Sequence, residues 1–163
     1  MKWSHGSREA GKLPASFFIL IAVLLGACGE AVNQEPTPTG LTLDCAAFQN
    51  NVNPIFDANI GGRTCSASGC HAIVSSSGGA FKIYPNALPN TLEMQVNYLV
   101  AKGFSNLNSP ADSKLLLEPL AGAQSIVGSH AGGDIFVDTN DPNYTTTLNW
   151  INSSIQGPSA CYP

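Results

Sequence analysis

Hydrophobic residues recur at helical spacing in four places along this chain, separated by stretches rich in Gly, Ser, Asn and Pro. Phe48, Val52, Ile55 and Phe56 share one face of a helix predicted over 45–59, with Asp44 as its N-cap. Pro54 stands inside that segment and predicts a kink or two shorter helices. Leu92, Val96, Leu99 and Val100 predict the inward face of a second helix over 91–102, begun by Thr91 and ended by Gly103. Ser109-Pro110-Ala111-Asp112 reads as the cap, first-turn proline and acidic third position of a short helix through Leu117. Asp141-Pro142 opens the last helix, where Tyr144, Thr147, Leu148, Ile151 and Ile155 share a face beside Trp150, and Gly157-Pro158 ends it.

Between these segments the pattern breaks in ways that carry information. Gly61-Gly62 allows a sharp turn, residues 75–79 are Ser and Gly only, and residues 80–84 read as a short extended piece. Gly128-Ser129-His130-Ala131-Gly132-Gly133 is too rich in glycine for a helix interior. A histidine there can be aimed without helical constraint, and its small neighbours let a flat group approach the backbone. A solvated turn histidine is the plain alternative.

The N-terminus adds a targeting signal. Lys2, Arg8 and Lys12 precede an uncharged apolar run from Leu13 to Leu25, too short to span a bilayer and typical of a secretory signal peptide. Leu25-Gly26-Ala27-Cys28 resembles the lipobox of bacterial lipoproteins, which implies a lipid anchor on Cys28 and, with Gly29 next, the outer membrane. Ordinary secretory cleavage, leaving Cys28 as a thiol, is the competing reading. The predicted organisation is a signal peptide over 1–27, a Pro- and Thr-rich tether over 28–43 and one folded domain over 44–163, a length sufficient for its own core. Past the signal peptide, four basic residues (Arg63, Lys82, Lys102, Lys114) face ten acidic ones, a net charge of −6 that argues against nucleic acid as a partner.

The densest chemistry is Cys65-Ser-Ala-Ser-Gly-Cys70-His71. Two thiols followed at once by an imidazole suit covalent capture of haem, with the histidine under the iron; the usual gap between the cysteines is two residues, and here it is four. Five cysteines are an odd number for an exported chain, and assigning Cys28 to lipid leaves four. If Cys65 and Cys70 hold haem, Cys45 and Cys161 remain to form a disulfide near the two ends of the domain. Four cysteines allow three pairings, and Cys65 could instead close a small loop with Cys70. After processing only His71, His130 and Met94 remain as side-chain iron ligands of the usual kind, so a sixth ligand comes from His130 or Met94.

Taken in order, these segments resemble the single-haem c-type cytochrome domains of exported bacterial proteins, including the cytochrome-like modules of planctomycetes. The resemblance is carried by Val52-Asn53-Pro54-Ile55-Phe56 before the haem motif and by Gly78-Gly79-Ala80-Phe81-Lys82-Ile83 after it. It continues through Ser113-Lys114-Leu115-Leu116, His130-Ala131-Gly132-Gly133 and Trp150-Ile151, covering about residues 48–157. It implies a mainly α, cytochrome c-like domain wrapped around one covalent haem c, with short extended segments and Gly-rich loops. Cys65 and Cys70 would be the thioether residues, His71 the proximal ligand and His130 the distal one. The implied function is single-electron transfer with redox proteins as partners and the membrane reached through the lipid anchor, facing periplasm or cell surface; no small-molecule substrate and no catalytic residue are expected. Phe56, Phe81, Leu99, Trp150 and Ile151 are the candidate pocket walls.

Two other classes compete. A haem peroxidase or sensor needs an open or labile sixth position, and the only arginine past the signal peptide, Arg63, lies before the motif instead of beside a second distal histidine. A non-haem surface lipoprotein domain would use the cysteines as disulfides, or Cys65, Cys70, His71 and His130 for zinc at an unusual spacing.

Overall fold

In a computed structural model of the chain, the described residues are 40–74, 79–122, 130 and 132–162, all within the unit Pro38–Pro163. The expected signal peptide, the expected lipidation site Cys28 and most of the expected tether lie outside them. The fold is small and leans to helix: β1 (Leu41–Thr42), α1 (Cys45–Ala47), a π-helical turn (Phe48–Val52), α2 (Asn53–Asp57), α3 (Leu92–Gly103), a 3₁₀ turn (Pro110–Asp112), α4 (Lys114–Leu117), α5 (Pro142–Asn152) and β2 (Ile155–Gln156). β1 and β2 pair antiparallel, Leu41 opposite Gln156 and Thr42 opposite Ile155. The folded part therefore reaches back past Asp44, and Leu43 is fully buried. Among the described residues no helix is long and apolar enough to cross a membrane.

The first predicted helix forms, capped by Asp44, whose Oδ1 accepts from the Ala46 N–H at 2.9 Å. Its interruption has a local cause. Pro54 has no N–H to give the Asn50 carbonyl and its ring crowds that carbonyl. The ladder widens instead by one residue, so that the Asn53 N–H reaches the Phe48 carbonyl, a π-type bond. Phe48, Val52, Ile55 and Phe56 are all buried, as their spacing predicts. Phe48 packs against Phe56, Tyr98 and Trp150 at centroid distances of 6.0, 5.7 and 5.2 Å, arrangements in the favourable tilted and edge-on range.

α3 begins at Thr91, whose Oγ1 accepts from the Met94 N–H, but it turns a different face inward from the one predicted. Met94, Asn97, Tyr98 and Ala101 are buried, whereas Leu92 and Leu99 are 60% and 51% exposed. Hydrogen bonding decides this rotation. Asn97 accepts from the Tyr84 N–H at 2.7 Å and donates to the Tyr84 carbonyl and to Asn53 Oδ1, both at 2.9 Å. Tyr98 donates to the Leu43 carbonyl at 2.5 Å. A residue with matched partners is buried at little net cost, so two leucines can be left outside.

Two further boundaries differ. The helix predicted from Pro110 through Leu117 is broken at Ser113, which is extended and fully buried and whose hydroxyl donates to the Pro110 carbonyl at 2.6 Å. The last helix is capped as predicted, Asp141 accepting from the Asn143 N–H at 2.8 Å, but stops at Asn152. Ile155 leaves the helix to pair in β2, which the Cys45–Cys161 disulfide, Cα to Cα 5.4 Å, holds beside the start of the domain.

Candidate functional site

A cavity of about 470 Å³ opens between the Cys65–His71 segment, the residues after it, α4 and the residues around His130. Its size is in the range of small-molecule and cofactor sites, about 300–1,000 Å³. Cys65, Cys70, His71 and His130 all line it, so four residues from two segments singled out in the sequence meet in one place.

The Cys65–His71 segment folds as a tight loop in which the four intervening residues are accommodated locally. The Ala67 N–H reaches the Thr64 carbonyl at 3.1 Å, the Cys70 N–H the Ala67 carbonyl at 3.0 Å, and the His71 N–H the Cys65 carbonyl at 3.1 Å. Gly69 takes a φ of 88°, a left-handed conformation that glycine adopts without a Cβ penalty. Asp57, at the end of α2, pins the loop from below: its Oδ1 accepts from the Ser66 hydroxyl at 2.6 Å and, with Oδ2, from the Asn86 N–H at 3.1 Å. Both thiols are free and half-buried. The Cys65 thiol is pushed up from 9.0 to about 11, chiefly by burial and further by the neighbouring Cys70 and Asp57, against a lowering backbone hydrogen bond. Burial thus keeps Cys65 a neutral thiol at physiological pH.

Each imidazole is oriented by a backbone carbonyl. His71 Nδ1 lies 2.8 Å from the Phe81 carbonyl, and His130 Nδ1 lies 3.0 Å from the Gly133 carbonyl. A carbonyl only accepts, so in the neutral rings the proton sits on Nδ1 and the lone pair on Nε2. Metal-ligating histidines are oriented in this way. The rings lie 5.8 Å apart, centroid to centroid, inclined by only 17°.

The walls come from several elements. Phe81 meets His71, Phe56 and Phe104 edge-on at 5.0, 5.5 and 5.3 Å. Its segment is held in place because the Ile83 N–H donates to the His71 carbonyl and the Ile73 N–H to the Ile83 carbonyl, both at 2.9 Å. Ile135 and Phe136 are positioned by the Pro119 carbonyl, which accepts from both their N–H groups at 2.9 and 3.0 Å. Gly132 permits close approach: a β-carbon there would be 3.1 Å from His130 Cε1 and 3.9 Å from Cys70 Sγ.

Of the expected wall residues, Phe56 and Phe81 line the cavity. Leu99 does not, because α3 turns it outward. Trp150 and Ile151 belong to the buried core instead, the Trp150 indole N–H donating to the Asp44 carbonyl at 2.8 Å. Ile55, Phe104, Leu115, Ile135 and Phe136 line the cavity without having been singled out as walls. For Ile135 and Phe136 the available signal was their position just after the glycine-rich stretch. Arg63 and Lys114 also border it. Met94, the alternative sixth ligand, is buried in α3 and is not part of the lining. Among the described residues no three His, Cys, Asp or Glu side chains are grouped to hold a metal ion by themselves. Compared with family models, with curated proteins and with solved structures, the chain gives no match.

Proposed function

We propose that this domain is an exported c-type cytochrome that binds one covalent haem in the cavity and passes single electrons between partner proteins. The observation that carries the reading is that His71 and His130, each with Nδ1 on a backbone carbonyl, line one cavity together with two free thiols. The residues fit the group. Two protein nitrogens suffice where a porphyrin supplies the other four ligands. Apolar walls suit the macrocycle, and Arg63 and Lys114 at the cavity suit its carboxylates.

In this reading Cys65 and Cys70 would hold the haem as thioethers, and His71 and His130 would ligate its iron. When bound, the haem supplies a reversible one-electron couple at iron. The chain's own work is to fix both imidazoles through the Phe81 and Gly133 carbonyls, to exclude water with Phe56, Phe81, Phe104 and Phe136, and to leave no open position for substrate. Bis-histidine ligation favours a lower potential than His/Met ligation. The finer fold assignment, a cytochrome c-like wrap around haem, belongs to the same proposal. So do export and anchoring through Cys28, with the Cys45–Cys161 disulfide fitting an oxidising compartment.

The test is expression of the full chain with c-type maturation machinery, followed by haem staining of a denaturing gel and absorption spectroscopy. Covalent haem that is lost in Cys65→Ser/Cys70→Ser, and a low-spin spectrum that turns high-spin in His130→Ala, are the expected results. A chain that emerges without covalent haem refutes the proposal.

A further inference from the structure

Gly61-Gly62 does more than turn the chain. Ile60 and Arg63 form a two-residue hairpin, Ile60 N–H to the Arg63 carbonyl at 2.8 Å and Arg63 N–H to the Ile60 carbonyl at 3.1 Å. Both glycines are left-handed, with φ of 59° and 83°, as the tightest hairpin turns require, and the Gly62 N–H is tied to Asn59 Oδ1 at 2.9 Å. The hairpin fixes the Arg63 backbone and presents its side chain to the opposite bank of the cavity.

There the guanidinium lies directly on Gly133. A β-carbon on that residue would fall 2.6 Å from Nη1 and closer still to Cζ, so only glycine leaves room for the guanidinium where it stands. Gly133 is also the residue that fixes His130. Its N–H donates to the His130 carbonyl at 2.7 Å and its own carbonyl receives His130 Nδ1 at 3.0 Å, with φ at +85°. One glycine thus closes the histidine turn through its backbone and carries the flat face of an arginine on its α-carbon.

We infer that Arg63 is a positioning residue for His130: its guanidinium, held out by the Ile60–Arg63 hairpin, clamps the His130–Gly133 turn and sets how readily His130 yields its place to a competing ligand. The inference rests on the haem reading for its effect at iron, but the clamp itself acts on the turn with or without haem. Because the contact is a plane on a glycine, lysine does not replace it even though it keeps the charge.

The test compares wild type with Arg63→Leu, Arg63→Lys and Gly133→Ala in the haem-loaded full chain, by spin state and by cyanide titration. An exogenous ligand binds in proportion to the fraction of molecules with His130 off, so loosening that histidine tenfold raises apparent cyanide affinity about tenfold. All three variants are expected to show that rise, read per bound haem. The double variant Arg63→Leu/Gly133→Ala should exceed Gly133→Ala alone by little, since both remove one contact and alanine strains the backbone at φ +85° in either background. A cyanide affinity for Arg63→Leu within twofold of wild type overturns the inference, as does full rescue by lysine, which would make charge the operative property. In haem-free protein, hydrogen exchange at the Gly133 amide provides the independent readout. Arg63→Leu should accelerate it about tenfold, corresponding to about 1.4 kcal/mol of lost protection. Unchanged exchange refutes the clamp, whereas faster exchange in a chain that takes up no haem refutes only the haem reading.

Discussion

Replacing Asn97 with alanine tests how the core supports the site. Asn97 is 1% exposed and makes three hydrogen bonds, two to the backbone of Tyr84 and one to Asn53. Alanine removes all three and strands the Tyr84 N–H, the Tyr84 carbonyl and Asn53 Oδ1 in a region with little water. With a net value of about 1 kcal/mol per bond and a further cost for buried groups left unpaired, the expected loss is about 3–5 kcal/mol. That is a large share of the roughly 5–15 kcal/mol typical of a domain. In urea unfolding, with a slope near 2 kcal/mol/M, the midpoint should fall by about 2 M without a change in slope. The loss should also reach the cavity. Tyr84 follows the Phe81–Ile83 segment whose Phe81 carbonyl orients His71, so exchange of the Ile83 amide, bonded to the His71 carbonyl, should accelerate with the global loss. A destabilisation below about 1 kcal/mol would refute the claim that this polar hub, instead of leucine burial, sets the face of α3.

Three further outcomes follow from the same structure. Leu99→Gln should change stability by less than about 0.5 kcal/mol, because Leu99 is 51% exposed; a loss above 1 kcal/mol in the same urea assay would contradict the observed rotation of α3. Cys45→Ser/Cys161→Ser opens a link spanning 116 residues and should cost about 4–5 kcal/mol in the chain-entropy account, measured against the oxidised wild type; a loss under 1 kcal/mol would mean that the link adds nothing to the two ends' existing docking. In haem-free protein, Cys65 should resist iodoacetamide at pH 8, since a thiol raised to about 11 is thiolate in only about one molecule in a thousand; labelling at the rate of an ordinary exposed cysteine would refute its burial. Because folding raises this pKa from 9.0 to about 11, the folded state holds the proton more tightly. The linked stability, about 2–3 kcal/mol, is therefore complete below pH 9 and is lost as the pH rises through 11.

Local rules in the sequence found the helix starts because capping is decided by neighbours. Asp44, Thr91 and Asp141 each accept from a backbone N–H two or three residues on. Periodicity served equally well where every residue on a face was apolar, as for Phe48, Val52, Ile55 and Phe56. It failed on α3, where Asn97 and Tyr98 take the inward positions through partners 13, 44 and 55 residues away. No window of ordinary length contains the partners 44 and 55 residues away. The early end of α5 has the same character, since Ile155 is taken by pairing with Thr42 at the other end of the chain. Cys45 and Cys161 were legible only by elimination, through the count of remaining cysteines.

The candidate site was legible for a different reason. Thiols and imidazoles are scarce in this chain, so their positions constrain chemistry even when their surroundings are unknown. The wall residues had no such scarcity: Phe56 and Trp150 are both large, aromatic and buried, yet only Phe56 borders the cavity. Phe56 is carried on α2, directly after the π-helical turn, whereas Trp150 lies on α5, and the one-residue widening before Pro54 sets the register of Phe56. The proline that blurred the first helix in the sequence thus helps determine which aromatic residues face the cavity. Converting it tests this link. Pro54→Ala restores the missing N–H donor and should favour an ordinary α-helical ladder, turning Phe56 by up to about 100° relative to Phe48. In the stability of the variant the restored bond opposes the loss of packing between Phe56 and Phe81, which now meet at 5.5 Å. The informative measurement is the structure of the variant around Phe56. If the Asn53 N–H still reaches the Phe48 carbonyl after the change, Pro54 is not the cause of the widened turn, and the packing of Phe48 and Phe56 into one core must impose it instead.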